Sequence, residues 1–291
     1  MTTDDWTNLL QKILQHAIEE NASDVHLAPG SPVHYRIDGK LLQESFAELP
    51  EQRFTQTIAD QFIGAILNQP QQQQLSERGS VDGAYSIDDQ NRFRFNVYKR
   101  NSETCFAFRF LANNVPMLNE LGLNDRLYEL SNLTDGLILV AGPTGSGKST
   151  TIAALIDRIN KTRSAHIITI EDPVEFIHRS DRSLVNQRQV GVDVETFGQA
   201  LLDAVRQDPD VILVGELRDL DTIRTAVTAA ETGHLVFASV HAGDCKTAVE
   251  RLVSAFPAEE QNLASRLVAT VLRTVIVQHL LPRQKLSLIH I

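Results

Sequence analysis

Gly136-Leu137-Ile138-Leu139-Val140-Ala141-Gly142-Pro143-Thr144-Gly145-Ser146-Gly147-Lys148-Ser149-Thr150 decides how this chain is read. Its first six residues are an apolar, partly β-branched run of the kind that makes a buried strand. Thr151-Ile152-Ala153-Ala154-Leu155-Ile156 beyond it reads as the opening turns of a helix. The stretch between follows G-x-x-x-x-G-K-[ST], and a strand before with a helix after is the context that gives this pattern meaning. Three glycines let successive backbone N–H groups converge on phosphate oxygens, and a helix N-terminus adds a fixed positive potential. Lys148 is expected to reach the β- and γ-phosphates and Ser149 to hold Mg²⁺. Residues Gly142 to Thr150 therefore predict a nucleotide phosphate site.

Working outward, His166-Ile167-Ile168-Thr169-Ile170 reads as a strand that delivers Glu171, Asp172 and Glu175 at its C-terminal end. Open α/β sheets place their ligands at that edge. Three crowded carboxylates repel one another, which a cation or a transferring water would justify. Asp210-Val211-Ile212-Leu213-Val214-Gly215-Glu216 is a second buried strand ending in an acid. It resembles a Walker-B strand with the charge on Glu216 instead of position 215. His234 then leads into Leu235-Val236-Phe237-Ala238-Ser239-Val240, and His241 ends this third strand on the same expected edge. A strand-end histidine is ordinarily structural; beside two other polar strand ends, His241 is a candidate sensor of the γ-phosphate. Strands alternating with helical stretches predict a mostly parallel sheet with crossover helices, a P-loop core of the RecA-like type. Glu259 to Leu281 reads as one long helix stopped by Pro282.

The first part of the chain has a different rhythm. Leu9, Leu10, Ile13, Leu14, Ala17 and Ile18 fall at helical spacing, a stripe expected to pack on its own domain. Val33 to Leu41, with Asp38-Gly39 in the middle, reads as a hairpin. His26 beside Asp24 suggests a structural hydrogen bond in preference to a metal pair, because no third ligand is near in sequence. Residues 51–68 read as helical, the glutamines 71–74 as solvated surface, and residues 81–87, 92–98 and 104–110 as three alternating strands. Arg92, Arg94, Lys99, Arg100 and Arg109 lie in or beside those strands. Charges on an antiparallel sheet mostly face water, yet so many this close to a phosphate site make one or two candidate phosphate contacts. The expected organisation is a domain over 1–111, a linker at 112–118, a nucleotide domain over 119–283 and a non-native tail at 284–291.

The whole chain sets limits on these readings. It has 291 residues, room for two cores. A net charge of −10 argues against nonspecific duplex binding, which needs a basic footprint. Two cysteines, Cys105 and Cys245, are too few for a zinc cluster or a disulfide framework, so a reducing cytoplasm is the expected compartment. No apolar run reaches the roughly 18–20 residues that span a bilayer. The acidic start is unlike a signal peptide.

Five segments in order, GPTGSGKSTT, TIEDPVEF, VNQRQVG, DPDVILVGELRD and AAETGHLVFASVHAGD, carry a resemblance. The chain resembles the ATPases of type II secretion and type IV pili, and within them the PilT family of retraction ATPases. SDVHLAPGSPVHYRIDGKL is similar to that family's small PAS-like N-terminal domain. The resemblance implies an α/β RecA-like P-loop ATPase domain preceded by an α+β PAS-like domain. It implies that ATP and Mg²⁺ are bound by Lys148 and Ser149, that Glu175 polarises the attacking water and that Glu216 serves the metal. His234 and His241 match the family's histidine box. Arg94 and Arg109 match arginines that approach nucleotide within or between subunits. A homo-hexamer at the inner face of the cytoplasmic membrane, acting through an inner-membrane platform protein and without nucleic acid, is the implied working form. No further domain precedes the first, which favours retraction over pilus extension or type II secretion. Two features depart from the family pattern. Arg100-Asn101-Ser102-Glu103 lacks an expected Arg-Gly, and the sequence after Pro282 does not continue into the family's C-terminal helical region. A RecA-like nucleic-acid motor and a non-hydrolysing nucleotide-gated assembly factor are the alternatives from other classes.

Overall fold

The structure is a computed structural model, and it describes residues 3–88, 91–111, 115–282 and 288–290. The chain divides into two compact units, Met1–Asn113 and Asn114–Ile291. Part of the expected linker, 112–114, and residues 284–287 and 291 of the expected tail lie outside the described residues.

In the first unit, α1 (Thr3–Glu19) buries Leu9, Leu10, Ile13, Leu14 and Ala17, the stripe expected from their spacing. Strands β1 (Asp24–Leu27), β2 (Val33–Ile37), β3 (Lys40–Glu44), β4 (Ser80–Ser86), β5 (Arg92–Arg100) and β6 (Glu103–Leu111) form one antiparallel sheet in the order β3-β2-β1-β6-β5-β4. Asp38 and Gly39 both take positive φ, as a two-residue hairpin turn that matches strand twist requires. Strand alternation sends Val25, Tyr35, Phe95 and Phe108 to one face, into a core shared with α1 and with α2 (Gln56–Ile66). The residues between them give the other face a polar row: Arg36, Asp24, Arg109 and Arg94 lie opposite one another on adjacent strands. The glutamine run is part of α3 (Gln69–Arg78), which Asn68 and Gln71 start by capping each other's backbone N–H.

In the second unit, β7 (Gly136–Ala141), β8 (His166–Glu171), β9 (Leu184–Gln189), β10 (Val211–Val214), β11 (Leu235–Val240) and β12 (Leu272–Val277) form a parallel sheet in the order β12-β7-β11-β10-β8-β9. The central strands are buried on both faces, as continuous apolar runs demand. One face packs on α4 (Lys148–Thr162) through Ile138, Val140, Ile152, Leu155 and Phe237. The other packs on α5 (Phe197–Ala204), α6 (Leu220–Glu231), α7 (Cys245–Ser254) and α8 (Gln261–Val271).

One expected element is corrected. The single helix over 259–281 ends at Val271, and the chain turns into β12. Thr274, Val275, Ile276 and Val277 are β-branched residues that a half-buried pleated surface accommodates better than a helix. They pair with β7 and make it an interior strand.

Candidate functional site

The phosphate loop runs from the end of β7 to the start of α4. Gly142, Gly145 and Gly147 all adopt positive φ. At Gly142 a side chain is excluded twice over, because a Cβ there would overlap the Gln278 backbone carbonyl and sit 2.5 Å from Ser146 Oγ. Gly147 precedes α4 in the left-handed conformation and has no side-chain cap. The first-turn N–H groups of α4 are therefore left for an anion. Pro143, Thr144, Gly145 and Ser149 are exposed, Thr150 is half-buried, and Ser146 and Lys148 are buried. Lys148 Nζ donates to the carbonyls of Gly142 at 3.1 Å and Pro143 at 3.0 Å, so the lysine closes the loop on itself. Burial pulls the Lys148 ammonium below its usual range, and the carboxylates of Glu216 and Glu175 act in the opposite direction. Both acids thus act on the loop's cation.

Glu216 follows β10. Its Oε2 accepts from Arg218 Nε and Nη2 at 2.8 and 2.7 Å, and its Oε1 lies 3.2 Å from His241 Nε2. The next strand over ends in His241, whose carbonyl accepts from Arg251. Gly215 stands where a Walker-B acid was expected. Its N–H donates to the Ile170 carbonyl, and an added Cβ would sit 3.2 Å from that oxygen, a tight contact that would push the strand ends slightly apart.

The three carboxylates after β8 do not act as one cluster. Glu171 turns inward and accepts from Thr169 Oγ1 at 2.6 Å and Gln187 Nε2 at 3.1 Å. Burial pushes its carboxyl up, against those bonds and one from the Glu175 backbone. Asp172 and Glu175 remain exposed. Gln187 also accepts from the His178 N–H and donates to the Phe176 carbonyl, while Gln189 accepts from the Val174 N–H. These two β9 side chains pin the loop that carries Glu175.

His234 is not brought to this edge. It stands at the N-terminal end of β11, with Nδ1 2.9 Å from the Ala229 carbonyl, while His241 ends the same strand. A six-residue strand separates the two by about 17–20 Å, so of the two candidate histidines His241 lies beside Glu216 while His234 closes the α6–β11 turn. Arg94 and Arg109 are register partners on β5 and β6. Arg109 donates to Asp24 at 2.9 Å, and Arg94 lies 3.7 Å from Asp82. The anticipated His26–Asp24 hydrogen bond is also corrected, because Asp24 is taken by Ser23 and Arg109 and His26 Nε2 has no partner. Among the described residues no three His, Cys, Asp or Glu side chains converge on a metal position. Mg²⁺ does not require such a cage, since it is commonly held by one or two protein oxygens together with phosphates. The exposed Ser149 hydroxyl and the Glu216 carboxylate are the hard oxygen donors that suit it. The open groove of 710 Å³ along α1 contains no phosphate-loop residue.

The pattern that defines the Type II/IV secretion system protein family matches residues 3–287. The chain belongs to that family. It is 40% identical to the type IV pilus retraction ATPase PilT of Pseudomonas aeruginosa over 94% of this chain and 78% of that one. It is 37% identical to the twitching motility protein of Neisseria gonorrhoeae, over 94% of this chain and 72% of that one. A crystal structure of the pilus retraction motor PilT with bound ADP superposes with a TM-score of 0.91 at 42% identity, covering 96% of this chain and 80% of that one.

For this member of the secretion family, the sequence left four contributors unnoticed. Arg218 lies two residues beyond Glu216 in the segment GELRD, and that spacing was the available signal. Gln187 and Gln189 alternate on β9 within VNQRQVG, a polar alternation that marks one face of a strand. Gln278 carried no signal, because its place beside the phosphate loop depends on β12.

Proposed function

We propose that this chain is an ATP-hydrolysing motor that powers type IV pilus retraction. It works as a homo-hexamer built on a RecA-like core and acts through an inner-membrane platform protein at the cytoplasmic face of the membrane. The observation that carries this reading is the self-closed phosphate loop. A buried lysine occupies the loop's own carbonyls, and two carboxylates, Glu216 and Glu175, act on it. The likeness to PilT supports the biological assignment.

Phosphoryl transfer leaves little covalent work to a protein, so positioning and charge neutralisation carry the rate. The first-turn N–H groups of α4 and the loop backbone bind the β- and γ-phosphates, and Lys148 leaves Gly142 and Pro143 to join them. Ser149 Oγ and Glu216 would hold a Mg²⁺, which when bound would supply neutralisation of the phosphate oxygens. Glu175 accepts a hydrogen bond from the attacking water and orients its lone pair on the γ-phosphorus. The new P–O bond forms as the bond to the β-phosphate oxygen breaks, and the water proton passes through Glu175 to phosphate or solvent. His241, held by Glu216, senses the γ-phosphate; Arg94 and Arg109 complete the charge balance in the hexamer.

Steady-state ATPase activity across protein concentration tests the reading. A specific rate that climbs with concentration is expected, because hexamers bring in neighbouring residues. Lys148→Ala should lose nucleotide binding, and Glu175→Gln should bind nucleotide while turnover falls at least about 100-fold, as loss of a positioned base typically gives. Wild-type turnover in Glu175→Gln would remove Glu175 from its role. A concentration-independent rate near zero with nucleotide bound would favour a nucleotide-gated assembly factor.

A further inference from the structure

Gln278 follows β12 directly and is 1% exposed, yet neither its Nε2 nor its Oε1 has a hydrogen-bond partner. A buried amide with both ends unmet is costly, and native proteins rarely keep one without a use. Its position is specific. The Gln278 N–H donates to the Ala141 carbonyl at 2.9 Å, and its own carbonyl abuts Gly142, the first residue of the phosphate loop. Val275 and Val277 pack with the helices on one side of the sheet, and Ile276 packs with α4 on the other. Alternation continues Gln278 onto the α4 side, beneath the loop. Ser146 Oγ, on the other side of Gly142, is likewise buried and unpartnered. The loop carbonyls of Gly142 and Pro143 are meanwhile satisfied by Lys148.

We propose that Gln278 is a positioning residue that takes over the Gly142 or Pro143 carbonyl when Lys148 leaves it for phosphate. The amide is unpaired while the lysine is home and paired when the lysine is engaged. Without such a substitute, drawing Lys148 to a phosphate would strand the buried Gly142 carbonyl, whereas the carbonyl of the exposed Pro143 keeps the Ser146 N–H, and nucleotide binding would bear that cost. The proposal rests on reading the loop as a triphosphate site, so its main test is made without nucleotide.

Gln278→Met keeps length and approximate volume and removes both polar ends. In the otherwise wild-type full chain, the ligand-free melting temperature should stay level or rise by about 2–4 °C, the size expected for a small stability gain in a chain of this length. In a Lys148→Met background the Gly142 carbonyl has lost its donor and Gln278 should already serve it. There Gln278→Met should lower the melting temperature by a similar amount. This reversal of sign is an interaction that a purely packing residue does not produce. With nucleotide, Gln278→Met should weaken binding of a non-hydrolysable ATP analogue about tenfold, the effect of roughly one hydrogen bond. The KM for ATP should rise by a larger factor than kcat falls. Equal effects of Gln278→Met in both backgrounds, or failure of the single variant to fold, overturn the proposal. A sign reversal with no nucleotide binding by the wild-type chain would leave the hand-over standing and remove the triphosphate reading instead.

Discussion

His178 shows what burial does to a single side chain here. It is 7% exposed, its Nδ1 has no partner, and burial lowers its pKa to about 4, with Lys161 adding to the shift and Asp157 opposing it. The unfolded chain holds this proton up to about pH 6.5. Between those values the unfolded state therefore binds more protons, and stability falls as pH drops through that window. From pH 7 to pH 5 this residue alone should cost about 2 kcal/mol. Urea unfolding of the wild-type chain and His178→Phe at both pH values measures it; an equal pH dependence in the two proteins would rule the assignment out. At this scale the sequence revealed what motif chemistry marks. The loop from Gly142 to Thr150 and the strand-end candidates Glu216 and His241 were read from spacing, whereas Glu175 was singled out from its acidic neighbours by family resemblance. Arg218 had a signal in its spacing from Glu216 that went unread, and Gln278 had none, since its place comes from what the sheet sets beside it.

Among elements, α3 was the most easily underrated. The glutamines 71–74 read as a solvated helix or linker surface; Asn68 Oδ1 accepts the Gln71 N–H at 2.9 Å and Gln71 Oε1 accepts the Asn68 N–H at 3.1 Å. With Pro70 in the first turn, this is a strong start signal for a helix of otherwise weak amphipathicity. Asn68→Ala should lower stability by about 1 kcal/mol, the usual worth of such a cap. Nucleotide affinity should not change, and a loss of affinity in a binding titration would contradict this separation. The misread element was β12. A short apolar run after a helix fits either period, and periodicity alone cannot separate a buried strand from a buried helical turn. Its partner β7 lies far away in the chain, and only that pairing decides the matter. The parallel strands β7, β8, β10 and β11 were legible because each is a mainly apolar run with a helix before or after it in the chain.

For the molecule as a whole, the two units carry separate cores, one under an antiparallel sheet and one on both faces of a parallel sheet. The change of rhythm near residue 112 made that division visible in sequence, whereas the arginine row of the first unit appeared only once strand register was known. That row, Arg36, Arg109 and Arg94, is partly balanced by Asp24 and Asp82 within a chain of net charge −10. Such a surface lacks the broad basic track that holds a nucleic-acid backbone. Duplex or single-stranded DNA added at physiological salt should therefore leave the ATPase rate within about twofold, since charge neutralisation of phosphates drives such coupling. Stronger stimulation would revive the reading as a nucleic-acid motor.

The order of strands in the parallel sheet also has a consequence for the birth of the protein. β7 leaves the ribosome well before one of its two flanking partners, β12. Until then β7 has a bare hydrogen-bonding edge, and the phosphate loop lacks the wall that Gln278 provides against Gly142. A ribosome-bound intermediate would expose that apolar edge as a handle for chaperones. The loop could close on a nucleotide only after β12 had emerged. Translation itself would thus keep unfinished motors from taking up fuel.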